Sequence, residues 1–159
     1  MTAVSDRAAG AHAVVDRYWK WSAAAGLIPV PIVDVAAVTG IQLKMLSELA
    51  ALYGVPFAQD RAKSIVGALV GALSPPIASG TVIGLVAAFF KIVPGVGMLA
   101  AVLLTSAFNA ASTLAVGRVF VQHFESGGTF LDMDPDRVRE HFRHEFEAAR
   151  SRGSSPPAG

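Results

Sequence analysis

The chain has 159 residues, of which 53% are apolar and 16% are charged, and its formal net charge is +1 at pH 7. A monomer of this size would have difficulty burying so much apolar surface, so we expect a membrane, an oligomer or both to cover the excess. The small net charge excludes the global basic field that attracts nucleic acid, and the absence of cysteine excludes disulfides, thiolate nucleophiles and cysteine-ligated metals.

The first predicted element is an amphipathic helix that begins near Ser5 or Asp6, since either side chain can cap it. Its polar residues give way to an apolar run, and Tyr18, Trp19 and Trp21 lie at that transition. Because aromatic rings favour this position at a membrane surface, we interpret the three as membrane-interface residues. The alternative is that they are core aromatics of a soluble bundle. The N-terminus lacks the uninterrupted apolar core of a secretory signal and is expected to be mature sequence.

Prolines divide the next part of the chain. Pro29 and Pro31 form a predicted hairpin corner, and the second helix should run from Pro31 to Tyr53. Gly54 follows this helix and favours its end. A third helix is predicted from about Ala58.

Residues 64–117 are the most apolar part of the sequence, and Lys91 is their single charged residue. The 27 uncharged residues before Lys91 and the 26 after it are each long enough to cross a bilayer, for which about 20 residues suffice. Pro94 and Gly95 predict a second hairpin corner, because proline disfavours helix before it and glycine permits unusual backbone angles. We expect Lys91 at the membrane surface and a fourth helix from about Pro94 to Phe124.

Small and polar residues at one-turn spacing predict close packing of helices, either within the chain or between copies. The alternative is that these spacings arise by chance in a sequence rich in alanine and glycine. The predicted packing or oligomer-interface residues are Gly67, Gly71, Gly80, Gly84, Asn109, Thr113 and Gly117.

Asp134 and Pro135 open the last predicted helix, with the cap at the aspartate. Val138, Phe142 and Phe146 recur every four residues and predict one apolar stripe on an otherwise charged helix. We therefore divide the chain into the N-terminal part of the entry helix (1–18), an apolar helical-hairpin body (19–124), a loop with the charged helix (125–150) and a flexible tail (151–159).

No sequence motif predicts catalysis. The chain has no P-loop spacing and no GxSxG motif. His141, His144 and Glu145 could lie on one side of the last helix, but a zinc site needs three or four converging ligands. We expect no catalytic residue, no cofactor and no metal.

Three short motifs carry a family resemblance: Lys91-Ile92-Val93-Pro94-Gly95-Val96-Gly97, Ala111-Ser112-Thr113-Leu114-Ala115-Val116-Gly117-Arg118, and Pro31-x-x-Asp34 with Gln42, Met45 and Tyr53-Gly54. Over about residues 19–124 the chain resembles the YcjF-like domain of unknown function. That family includes small bacterial inner-membrane proteins and C-terminal regions of Era-like or dynamin-like GTPases. The resemblance implies an all-helical membrane module with a GTPase as partner, although this chain has no GTPase domain itself.

The predicted fold is all-α with about five helices, arranged as two apolar helical hairpins plus an amphipathic C-terminal helix. The predicted function is non-enzymatic: a membrane-associated protein that self-associates, contacts membrane lipid and acts as scaffold or adaptor for a GTPase-linked process, without nucleic acid. Arg61, Lys63 and Arg118 outnumber Lys91, so both termini are expected on the cytoplasmic side of a bacterial inner membrane. The alternative is a soluble cytoplasmic homo-oligomeric assembly whose apolar helices are buried between subunits. A transport path through Asp34, Lys44 and Lys91 is a third interpretation.

Overall fold

The computed structural model describes residues 2–28, 31–73 and 95–153. Five α-helices and no strand occur in these three stretches, which confirms the all-α prediction. The helices are α1 (Thr2–Ala25), α2 (Pro31–Tyr53), α3 (Gln59–Gly71), α4 (Val96–Glu125) and α5 (Pro135–Gly153). The hairpin arrangement involves residues outside the described stretches, as do the predictions for Pro29, Gly80, Gly84, Lys91 and Pro94.

The bounds of the helices follow local sequence signals closely. α2 has the predicted bounds, and α4 begins directly after Gly95, whose φ of +95° is accessible to glycine without the penalty that a side chain imposes. α1 begins at Thr2 rather than near Ser5, because no glycine or proline interrupts the residues before Ser5.

α1, α2 and α4 form the central bundle. Ser22 of α1 contacts Asn109 of α4 while Val15 lies beside Gly117, so α1 and α4 run antiparallel. Gln42 of α2 bonds to Thr113 of α4, and further along the two helices Tyr53 bonds to Glu125, so α2 and α4 run parallel. The core between these helices includes Ala11, Val15, Tyr18, Met45, Leu46, Leu49, Val116, Val119 and Phe120.

The loop between α4 and α5 packs a phenylalanine side chain into one end of the bundle. Phe130 is buried, and the centroid of its ring lies 5.4 Å from that of Phe120 and 5.2 Å from that of Phe124. The side chain of Arg61 in α3 donates hydrogen bonds to the backbone carbonyls of Phe130 (3.3 Å) and Met133 (3.1 Å). This loop therefore joins α3 to the central bundle.

α5 packs along the second half of α4 through its apolar stripe. Phe142 and Phe146 are buried and Val138 is partly buried against the core, as their spacing predicted. The Asp134 carboxylate accepts the backbone N–H of Asp136 at 3.0 Å and caps the helix at the predicted residue.

Candidate functional site

The exposed apolar side chains of the described helices are concentrated at one end of the bundle. The first three turns of α4 carry large apolar side chains that are each more than half exposed: Val96, Met98, Leu99, Leu103 and Leu104. Leu27 and Ile28, which follow α1, are also exposed. Because α1 and α4 are antiparallel, both sets lie at the same end, which we call the apolar end.

α4 changes environment along its length. Within the described residues it is the one helix long and apolar enough to cross a membrane, a test that the core helix of a soluble protein also passes. Only a third of its most apolar window is buried inside the protein. Of the α4 residues before Asn109 only Gly97 is buried, whereas most residues from Asn109 to Phe124 are buried by α1, α2 and α5. The helix thus has an uncovered first part and a covered second part.

A buried chain of hydrogen bonds lies where these two parts meet, and we call it the polar seam (Ser22, Gln42, Asn109 and Thr113). The Ser22 hydroxyl donates to the Asn109 carbonyl at 3.0 Å, and the Thr113 hydroxyl donates to the Ser22 hydroxyl oxygen at 2.7 Å. The Gln42 amide donates to the Thr113 hydroxyl oxygen at 3.1 Å. All four residues are buried. Since a buried polar group without a partner is costly, the seam favours one axial register of α1, α2 and α4.

Two glycines permit close contact between α1 and α4. A Cβ at Gly26 would lie 2.6 Å from the Ser106 Cα, and one at Gly117 would lie 2.7 Å from both Val15 Cγ atoms. Next to the first contact, the Ser106 hydroxyl donates to the Ala23 carbonyl at 2.7 Å. Among the predicted packing residues, Asn109, Thr113 and Gly117 therefore face α1 and α2 within the chain.

The other predicted glycines lie elsewhere. Gly67 and Gly71 are exposed on α3, and a Cβ at either position would meet no atom within 4 Å. Within the described chain, therefore, neither glycine is needed for close packing.

The three aromatic residues predicted at a membrane interface lie in different environments. Tyr18 is 2% exposed, and its hydroxyl donates to the Glu48 carboxylate, which also pairs with Arg17. Burial, together with the bond to Glu48, raises the pKa of Tyr18. The Trp19 indole N–H donates to Asp16 at 3.3 Å, and Trp21 is 55% exposed. Only Trp21 thus presents most of its side chain to the surroundings.

A groove with a volume of about 520 Å³ lies between α1, α4 and the end of α5. Its floor is apolar and consists of Ala107, Ala110, Ala111 and Leu114. Three arginines, Arg118, Arg150 and Arg152, form its basic rim, and Asp16, Trp19 and Ala149 also line it. We call this feature the arginine groove.

Two further groups have altered pKa values near the end opposite the apolar end. Burial, together with the bond to Glu125, raises the pKa of Tyr53 to about 12. The hydroxyl and then the backbone N–H of Thr129 lower the pKa of Asp132, because both donate to its carboxylate. His123 lies beside this turn with Nε2 2.9 Å from the Thr129 carbonyl oxygen. In the described stretches, no group of three histidine, aspartate or glutamate residues could hold a metal ion.

Three features of this region are not predicted from the sequence: the seam partners Ser22 and Gln42, the close contact at Gly26 and the basic rim. Ser22 lies in an alanine-rich run, and its hydroxyl gives no signal of which neighbour it faces. The sequence predicts Arg150 on the charged helix and Arg152 in the flexible tail (151–159), whereas the structure continues α5 to Gly153. Their common position depends on how α5 crosses α4, which helical spacing within α5 does not reveal.

Comparisons with known proteins agree with the family resemblance. A family model described as a domain of unknown function, DUF697, matches residues 2–151. Magnetosome membrane protein 22 of Magnetospirillum gryphiswaldense is 32% identical over 141 residues, which are 89% of this chain and 71% of that protein. No solved structure matches the chain.

Proposed function

The chain belongs to the DUF697 family, and on that premise we propose that it is a non-enzymatic, membrane-associated protein whose apolar end enters the bilayer. The charged part of the bundle, including α5, would then remain in the aqueous phase. The observation that carries this proposal is the uncovered first part of α4.

The dimensions of this part fit a bilayer. Nine residues from Val96 to Leu104 extend about 14 Å along a helix, close to the thickness of one leaflet's hydrocarbon layer. Residues 74–94 precede it in the sequence and carry only one charge, at Lys91. The name of the related magnetosome membrane protein adds support from a chain of similar sequence.

The test places a charge in the apolar end. Leu104 is 72% exposed, so Leu104→Asp should leave the bundle folded. An aspartate costs about 3 kcal/mol at the bilayer centre and less near the headgroups, so we expect the partition into phosphatidylcholine vesicles to fall roughly tenfold in a flotation assay. Leu131→Asp is the matched control, because Leu131 is 79% exposed but lies in the loop at the other end. Its partition should equal that of the wild type.

Two results would overturn the proposal. Wild-type protein that stays out of every vesicle and elutes as a large uniform particle would favour the soluble assembly, in which copies of the chain cover the apolar end. A Leu104→Asp variant that floats as well as the Leu131→Asp variant would exclude the first part of α4 from the bilayer.

The proposal has a further step, which is self-association at the membrane. Because Asn109, Thr113 and Gly117 contact α1 and α2 within the chain, Gly67 and Gly71 are the predicted packing glycines that remain open to a second copy among the described residues. Gly67→Leu with Gly71→Leu should then reduce crosslinking in vesicles. Gly40→Leu is the control, because Gly40 is also an exposed helical glycine with open space around it. Equal crosslinking of both variants and the wild type would contradict this step.

Orientation and partner complete the proposal. Arg61, Lys63 and Arg118 favour a cytoplasmic position for both termini at the bacterial inner membrane. Since the chain has no cysteine, a single cysteine introduced at Leu131 can be labelled from one side with an impermeant maleimide. Labelling of spheroplasts from outside would reverse the proposed orientation.

A GTPase is the partner class that the family resemblance suggests. We propose α5 as the surface that binds it, and co-purification with and without GTP tests this step.

A further inference from the structure

We propose that the arginine groove binds one acidic phospholipid, with the phosphate at the arginines and the upper part of an acyl chain along the alanine floor. This inference rests on the proposed membrane association and names a lipid class that the bilayer would have to supply. It assigns a binding role to side chains of α4 and α5 that are far apart in sequence.

Three arginine side chains line the groove. Arg118, Arg150 and Arg152 converge on the groove, and Asp16 is the single acidic residue that lines it. Glu145 pairs with Arg118 at 3.0 Å, and Glu147 lies 3.8 Å from Arg150. In the described part of the chain, Arg152 forms no ion pair with an acidic side chain. Guanidinium groups bind phosphate oxygens through parallel hydrogen bonds, so the rim suits a phosphate rather than a cation.

The floor of the groove is apolar. Ala107, Ala110, Ala111 and Leu114 offer no polar side chain to a ligand. A small hydrated anion would leave this apolar surface uncovered, whereas a lipid would cover it with its acyl chain. The groove volume of about 520 Å³ lies within the range of sites for small molecules and holds a headgroup with the first part of a chain.

The groove lies next to the apolar end of the bundle. The floor begins at Ala107, one turn after the exposed Leu103 and Leu104 of the apolar end. When those leucines lie in hydrocarbon, the groove lies at the level of the lipid headgroups. Trp19 forms part of its rim, and tryptophan is favoured at that level. An acyl chain leaving the groove towards Leu104 would therefore enter the bilayer directly.

The experiment compares two vesicle compositions, phosphatidylcholine alone and an equal mixture with phosphatidylglycerol. Wild-type protein should favour the mixed vesicles in flotation. Arg150→Gln with Arg152→Gln should lower this preference by roughly tenfold or more, because each basic residue near an anionic surface contributes to binding. The control is Lys63→Gln with Arg137→Gln, which removes the same charge from exposed positions. Arg137 lies about 20 Å from Arg150 along α5, beyond the screening length.

A second variant separates the groove from diffuse surface charge. Ala107 is exposed, so Ala107→Trp should fold while filling the floor without changing any charge. It should also lose the preference for phosphatidylglycerol. If Ala107→Trp keeps the preference for phosphatidylglycerol and the double arginine variant loses it, the preference comes from general attraction between surface charges. That result would overturn the proposed lipid site in the groove.

The two proposals fail in different ways. Protein that floats equally with both vesicle types would overturn the lipid site and leave membrane association intact. Protein that floats with neither would overturn membrane association and the lipid site together.

Discussion

Gly117 of α4 lies directly against Val15 of α1. A Cβ added at Gly117 would come within 2.7 Å of both Val15 Cγ atoms and 3.2 Å of the Met45 sulfur. Valine in a helix has essentially one preferred rotamer, so it cannot turn away. The distance between α1 and α4 therefore depends on the absence of a side chain at this position.

We expect Gly117→Ala to destabilise the protein by about 1 kcal/mol, the difference between the cost of overpacking and the gain in helix propensity. Overpacking costs about 1–3 kcal/mol, which outweighs the gain of about 1 kcal/mol in helix propensity. Gly67→Ala is the control, since open space surrounds that glycine, and it should gain about 0.5–1 kcal/mol. Urea denaturation in mild detergent, followed by helical circular dichroism, measures both. Equal stability of Gly117→Ala and the wild type would contradict the close approach.

Thr113→Val removes the centre of the polar seam while keeping the side chain's shape. The Gln42 amide then loses its acceptor in a buried position, so we expect a loss of about 1–3 kcal/mol in the free energy of unfolding. Thr105→Val is the control, because the Thr105 hydroxyl donates to the Ala101 carbonyl of its own helix and to no other residue in the stretches that the structure describes. The same denaturation assay should find that variant within about 0.5 kcal/mol of the wild type.

The burial of Tyr53, together with its bond to Glu125, predicts a loss of stability at alkaline pH. The folded pKa of Tyr53 is about 12, whereas that of an unfolded tyrosine is about 10. Between these values the unfolded chain releases a proton that the folded chain retains. This contribution is therefore complete below pH 10 and is lost as the pH rises towards 12.

Tyr53→Phe should flatten the fall in stability over that window by an amount on the order of 1 kcal/mol, because the bond is accessible to solvent. Denaturation midpoints between pH 8 and pH 12 measure the difference. Parallel curves for the two proteins would exclude a role for this phenol.

Arg61→Met tests the link between α3 and the loop that carries Phe130. Loss of the two bonds to the Phe130 and Met133 carbonyls should cost about 1–2 kcal/mol. Amide hydrogen exchange should accelerate first in residues 129–133. Lys63→Met changes an exposed residue of the same helix and should leave exchange unchanged. Unchanged exchange in both variants would mean that the loop holds its position without the two bonds from Arg61.

Local signals predicted the helices well. Pro31 and Gly54 bracket α2, and Asp134 caps α5 as expected. These helix ends depend on the backbone properties of residues close together in the chain, and those residues can be identified from the sequence alone.

The division of α4 into two environments could not be predicted. Residues 92–117 are uniformly apolar, and an apolar side chain suits both a lipid bilayer and a protein core. Leu103 is exposed whereas Val116 is buried, because α5 and the second half of α2 cover only the latter part of the helix. Phe130 and Met133 were missed for a related reason, since apolar residues in a loop give no periodicity to read.

The polar seam also has a mechanical consequence. Sliding α1 by one turn along α4 would break its hydrogen bonds and drive the Val15 methyl groups into a residue other than glycine. These helices therefore cannot slide along each other. The apolar end and the charged part of the bundle move as one rigid body. Under the proposed membrane insertion, a tilt of the first turns of α4 would therefore be transmitted to α5 on the aqueous side.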